Sequence, residues 1–340
     1  MNKMEKITTK LTTLLNIDYP IIMAPMFLVT NEKMMIEAMN MGIAACIPAL
    51  NWRTDELMRA GITEIRRKAK KGSLGINLIV NQSNPKYKTQ LATCVELGVD
   101  FIITSLGNPK EVINKCKAVN IKVLCDVVDE KFAKKVENLG ADAVIAVNKE
   151  AGGHSGNMFS SELIPLLNKT VKIPVVSAGG VGNGKGFYDR LNKDGAAGCS
   201  IGSIFIATNE SNVSAAYKNA CVKYSDKDIV MSTKISGTPS TVINTPYVRK
   251  IGIKQGWLEK TLSKNKQLKK WIKMFTFLKG MKVIENAATT ATYKTVWIAG
   301  PTIKYTKKIR AVKEVVESLI LGYEQEEKQK KAMSRSVSRN

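Results

Sequence analysis

The chain has 340 residues, 44% of them hydrophobic, which suits one large folded domain with an insertion, or two domains. No run approaches the ~18 apolar residues of a membrane helix, and residues 1–16 lack a signal-peptide core, so a cytoplasmic protein away from membranes is expected. The net charge of +23 comes without a nucleic-acid-binding signature and reads as a lysine-rich solvated surface, while six scattered cysteines and one histidine exclude the usual zinc site.

In chain order, the apolar run Ile21-Ile22-Met23-Ala24 ends at Pro25, and a helical pattern over 31–41 follows, with Asn31 as its N-cap. A strand over 43–47 leads to an amphipathic stretch over 54–70, then a strand over 74–80 and a helix over 86–97. The cycle repeats with a strand over 101–105 and a helix opening at Pro109, a favoured first helical position. Strands over 122–127 and 143–147 are followed by helices after Asp129 and Ser160; further strands lie at 174–177 and 198–201. Gly98, Gly140 and Gly195 each close a helix just before a strand. Eight consecutive strand–helix units predict an α/β fold, a closed (β/α)8 TIM barrel, in preference to an open doubly wound sheet.

Beyond residue 206 the rhythm changes. Helical patterns, a turn at Ser236-Gly237-Thr238-Pro239 and a lysine-rich segment over 264–273 predict a helical insertion over 209–286, covering the barrel mouth as a lid. The barrel then spans 15–208 and 287–322, ending in an amphipathic helix over about 307–321. The charged, Ser-rich tail over 323–340 is expected to be frayed and disordered.

The chemistry concentrates at the strand ends. Glu150-Ala151-Gly152-Gly153-His154-Ser155-Gly156 follows the sixth strand and holds the only histidine in the chain. Its unperturbed pKa suits proton exchange near neutrality. Ala178-Gly179-Gly180-Val181-Gly182 follows the seventh strand and Gly202-Ser203 the eighth; both read as helix openings whose N–H groups converge on one phosphate dianion. Residues 179–185 match the start of a Walker A loop, but Gly186 stands where a Ser or Thr must hold magnesium, which excludes an NTPase. No metal site is expected.

Ala24-Pro25-Met26, Gly75-Ile76-Asn77-Leu78, the histidine stretch, Ala178-Gly179-Gly180-Val181 and Gly202-Ser203 occur in an order that resembles the nitronate monooxygenases, FMN-dependent TIM-barrel enzymes formerly called 2-nitropropane dioxygenases. The resemblance implies that Ala24, Pro25 and Met26 line the flavin ring and that Asn77 bonds its polar edge. It places Gly153, Gly180, Gly202 and Ser203 at the ribityl phosphate or the backbone leading to it, and counts Gly152, Ala178 and Gly179 among the cofactor-binding residues. Asp126 and Lys149 point toward the same mouth from strands five and six and are further candidates for binding the cofactor. Spacing alone leaves Met26 equally readable as a core methionine. The implied activity is oxidation of alkyl nitronates by O2 to carbonyl compounds and nitrite, with His154 as catalytic residue, either a base toward nitroalkanes or an electrostatic stabiliser of the nitronate. The implied partners are a small-molecule nitronate and O2, and a homodimer is compatible with the sequence. The FMN- and NAD(P)H-dependent enoyl-acyl-carrier-protein reductases resemble the same residues and form the alternative.

Overall fold

Eight parallel strands close on themselves in the computed structural model, which describes residues 4–81, 84–234, 239–254 and 296–337. They are β1 (Ile21–Met23), β2 (Ala44–Pro48), β3 (Ser73–Ile79), β4 (Phe101–Ser105), β5 (Lys122–Val127), β6 (Ala143–Val147), β8 (Val175–Ala178) and β9 (Gly198–Ile201). Closure comes from β9 returning to β1, with Cys199 opposite Ile21. The strand β7 (Gly153–His154) leaves the barrel and joins another sheet, described below.

Period-two alternation explains why these segments form a barrel. One set of side chains, including Ile22, Ala44, Cys46, Phe101, Ile103, Leu124, Ile145 and Val176, fills the interior. The intervening set, including Ile21, Met23, Ile47, Ile76, Ile102, Val123, Val144 and Val175, packs outward against the surrounding helices. The short helix α1 (Lys10–Leu15) closes the N-terminal end, since Leu11 and Leu15 are buried among the interior side chains.

The outer ring consists of α2 (Glu32–Asn40), α3 (Asp55–Lys68), α4 (Tyr87–Glu96), α5 (Lys110–Lys117), α6 (Glu130–Asn138), α7 (Ser160–Thr170) and α8 (Gly184–Asn192). Their starts follow the sequence signals: Asn31, Thr54, Asp129 and Asn183 each accept a backbone N–H from the first turn. Pro109 sits at the N-cap of α5, one place before the expected position.

Two expectations are corrected. Where the insertion is described, it is a mixture and not helical throughout: α9 (Ala215–Lys223), β10 (Ile229–Ser232), β11 (Ser240–Ile243) and α10 (Pro246–Ile251). Its strands form an antiparallel sheet in the order β10-β11-β7, in which β11 carries the β-branched run Thr241-Val242-Ile243 and pairs with the histidine stretch. Three residues of the expected turn, Ser236, Gly237 and Thr238, and the lysine-rich segment lie outside the described residues.

The last helix, α11 (Val312–Val337), starts later and runs further than expected. Residues before it are held extended by a bridge between Thr208 and Arg310. Val312, Val315, Val316, Leu319, Ile320 and Tyr323 form one buried stripe on its first turns. A docked helix has already met its nucleation cost, so good helix formers and an i,i+4 pair such as Glu327–Lys331, 3.1 Å apart, extend it into the tail read as frayed. The stripe lies against α8 at a glycine crossing: a Cβ on Gly184 would come within 2.3 Å of the Gly322 backbone. No helix among the described residues is long and apolar enough to cross a membrane.

Candidate active site

The inward alternation that builds the core continues to the C-terminal ends of the strands, where it presents polar groups. Above Phe101 and Ile103 on β4 comes Ser105; above Leu124 on β5 comes Asp126; Asn77 on β3 stands opposite Ile103 and reaches Ser105 by a hydrogen bond. These groups form one wall of a cavity of about 580 Å³. Of the residues singled out in sequence, Ala24, Pro25, Met26, Asn77, Asp126, Gly152, Gly153, His154, Ala178, Gly179, Gly180, Gly202 and Ser203 all line it. Lys149 does not. It is exposed, and its ammonium lies 4.8 Å from the centre of the Phe159 ring, because the chain has turned outward one residue past the inward-facing level of β6.

The asparagine beside it, Asn148, is fully buried and ties two glycine loops together. Its side-chain amide donates to Gly179 O at 3.1 Å, and its carbonyl oxygen accepts from Glu150 N at 2.9 Å. A Cβ on Gly179, where φ is +112°, would fall 2.5 Å from that same carbonyl oxygen and from Ala151 N. Only glycine lets the two loops approach this closely.

On the other loop, Ser203 Oγ accepts from Gly300 N at 2.8 Å, which brings the 296–300 segment against Gly152. The expected helix openings differ in form. Gly179 and Gly180 lie in a turn before α8, whose N-cap is Asn183, and Ser203 begins a single 3-10 turn ending at Phe205. The backbone N–H groups of Gly180 and Ser203 find no acceptor among the described residues, so both remain available to an anion.

At this end of the cavity one guanidinium is shared between two carboxylates. A Cβ on Gly180 would sit 2.5 Å from Glu150 Oε2, and that carboxylate pairs with Arg190 at 3.3 Å. Arg190 also pairs with Asp194 at 2.8 Å. A phosphate here would be held by backbone dipoles, with Arg190 offsetting one of the two carboxylates. The residues therefore fit a flavin phosphate.

His154 is placed by the insertion. It pairs with Ser240 and Gly153 pairs with Thr241 across the β7–β11 ladder. Thr241 Oγ1 accepts from Gly153 N at 2.9 Å and donates to Ala151 O at 2.9 Å, fixing the loop from both sides. The imidazole lines the cavity and is open to solvent there, while the neighbouring chain strips part of its hydration and so lowers its pKa below the ordinary value. The neutral ring therefore prevails at neutral pH, the form able to accept a proton.

Asp126 behaves oppositely. Its carboxyl is open to the cavity, and loss of hydration to the surrounding walls pushes its pKa up to about 6, against the opposing hydrogen bond from Ser105 Oγ at 2.5 Å. Asn77 Nδ2 donates to Ser105 Oγ at 2.8 Å and to Ile103 O at 3.1 Å. Its two N–H groups are thus committed, and its carbonyl oxygen is what it can offer a ligand.

Ser105, Asn148, Glu150, Arg190 and Thr241 were not singled out in sequence. Strand alternation could have found Ser105. No signal in the chain links Thr241 to Gly153 across 88 positions.

The family model described as nitronate monooxygenase matches residues 8–322. The (3aS,4S,5R,7aS)-5-hydroxy-7a-methyl-1-oxo-octahydro-1H-indene-4-carboxyl-CoA dehydrogenase of Rhodococcus jostii is 31% identical over 248 residues, covering 73% of this chain and 69% of that protein. A probable nitronate monooxygenase of Staphylococcus saprophyticus is 28% identical over 292 residues, covering 72% and 81% respectively. Among solved structures, FabK from Thermotoga maritima superposes with a TM-score of 0.79 at 25% identity, covering 96% of this chain and 99% of that one.

Proposed function

The chain belongs to the nitronate monooxygenase family, a family of flavin oxidoreductases, and on that premise we propose that it binds FMN and oxidises alkyl nitronates with O2, releasing a carbonyl compound and nitrite. The observation that carries this reading is an imidazole held by a small sheet at a cavity whose far end is two glycine loops braced by Asn148. Bound FMN would take electrons from the substrate and pass them to O2. Everything else falls to the chain. Backbone N–H groups of Gly180 and Ser203 would hold the phosphate, and Ala24, Pro25 and Met26 would flank the ring. Asn77 would accept a hydrogen bond from the polar edge of the ring through its carbonyl oxygen. With a nitroalkane, the α-carbon–hydrogen bond breaks, its electron pair moves into the nitro group, and an imidazole nitrogen of His154 takes the proton. With a preformed nitronate that step is already complete.

A second reading is reduction or dehydrogenation of an acyl thioester. Two observations favour it: a relative named for a carboxyl-CoA substrate, and an apolar cavity wall built from Val29, Leu50, Leu106, Phe132, Ile206 and Ile298.

The test begins with heat-released cofactor from purified protein, expected to be FMN; recovery of FAD, or of no flavin, overturns the cofactor assignment. Ethyl nitronate under air and without NAD(P)H should then consume oxygen and release nitrite. Inertness toward nitronates, combined with NAD(P)H- or flavin-linked turnover of an acyl-CoA, would replace this reading with the thioester one. Gly180→Asp should abolish FMN retention, since it sets a negative side chain against Glu150 in the phosphate cradle.

A further inference from the structure

Asp126 is the cavity carboxyl group for which the chemistry above has no use. One of its oxygens, Oδ2, is held by Ser105, and the direction of that bond is fixed by Asn77, which donates to Ser105 and leaves its hydroxyl proton for the carboxylate. The other oxygen, Oδ1, has no protein partner among the described residues, and Asp126 lines the cavity. Packed around it are Thr104 and Ser105 on β4, Cys125 beside it, and Cys46 on β2. Burial raises both thiols, so both stay neutral. The other charged or titratable groups lining the cavity are Lys135 on α6, His154 on β7, Glu150 in the phosphate loop and Tyr217 on α9. None of them forms an ion pair with Asp126 among the described residues.

A bare carboxylate in the wall of a substrate cavity repels an anion. We propose that Asp126 sets the charge of what the cavity accepts: an anionic ligand enters together with one proton, which Asp126 binds on its open oxygen and then donates to the ligand as a hydrogen bond. The balance is one ligand anion plus one solvent proton taken up, with no change in the net charge of the complex. Neutral ligands need no such proton. The inference rests on this cavity being the substrate site, and the raised pKa of Asp126, about 6, puts the transition within reach of a titration. Ser105 tunes it. Its hydrogen bond favours the charged carboxylate, so removing it should move the transition to higher pH.

Sodium nitrite is a suitable probe, being a small anion across the whole range. Calorimetric titration of the holoprotein between pH 5 and 8.5, in two buffers of different ionisation enthalpy, reads both affinity and proton uptake. Above about pH 6 the dissociation constant should rise about tenfold per pH unit, with about one proton taken up per nitrite at pH 8 and almost none at pH 5. Asp126→Asn should flatten this dependence and bind nitrite at pH 8 about as tightly as the wild type does at pH 5. Ser105→Ala should shift the break upward. His154→Asn should keep it, which matters because a protonated imidazole would also favour anions at low pH. A flat wild-type profile, a break that survives in Asp126→Asn, or no nitrite binding at any pH each overturns the proposal. Flavin content is read separately by absorbance. Protein without flavin refutes the cofactor reading, while the proton count still decides the role of Asp126.

Discussion

Replacing Asn148 tests whether the phosphate end of the site is as firmly braced as its geometry indicates. Asn148→Ala removes two hydrogen bonds, to Gly179 O at 3.1 Å and from Glu150 N at 2.9 Å, from a side chain that is 0% exposed. Each lost bond is worth about 1 kcal/mol, and each backbone group left without a partner adds a desolvation cost of about 1–3 kcal/mol where no water reaches it. A water filling the vacated space would offset part of this, so a loss of about 2–4 kcal/mol is expected. At about 2.1 cal/mol/K of unfolding entropy per residue, a chain of 340 residues would then lose about 3–6 °C in Tm. FMN affinity should drop in parallel, because Gly179 and Glu150 lose their common anchor. Asn148→Asp provides the control: it keeps an acceptor for Glu150 N but turns an oxygen toward Gly179 O, and should be at least as damaging as alanine. Thermal unfolding followed by far-UV circular dichroism, together with fluorescence titration of FMN into apoprotein, measures both effects. An Asn148→Ala protein that melts and binds FMN like the wild type would refute the bracing.

Gly184→Val should be strongly destabilising, because its side chain would meet the Gly322 backbone, whereas truncation before Lys328 should leave Tm nearly unchanged, and truncation before Tyr323 should not. Tyr323 is buried against the Phe187 and Tyr188 rings, with centroids 5.4 and 5.5 Å away; calorimetry of the three variants checks the order. All six cysteines are buried and free, and burial pushes Cys116, Cys125, Cys199 and Cys221 up to about 12, so the native protein should react with a disulfide reagent at pH 8 far more slowly than the denatured chain, which should release six equivalents. Rapid stoichiometric labelling of the native state would show that the barrel opens readily.

Local pattern was enough for the barrel. Apolar runs such as Ala143-Val144-Ile145-Ala146-Val147, the N-caps at Asn31 and Asp129, and glycines before strands are short-range signals, each set by a few neighbouring residues. The strand-end positions of Asn77, Asp126, His154 and the glycine loops follow from the same pattern, since a barrel presents its C-terminal strand ends on one face. Lys149 marks the limit: it adjoins the right strand but turns away, and nothing local separates it from Asn148, which turns in. The tail shows another. Its composition suggests fraying, yet the α11 stripe against α8, formed between segments more than a hundred residues apart, carries the helix onward. The tertiary structure alone decided that His154 is held by strands of the insertion, that Thr241 locks its loop, and that Asn77, Ser105 and Asp126 form one hydrogen-bonded wall. These contacts join residues distant in sequence, where closure of the barrel, and not the character of any one segment, determines which side chains meet.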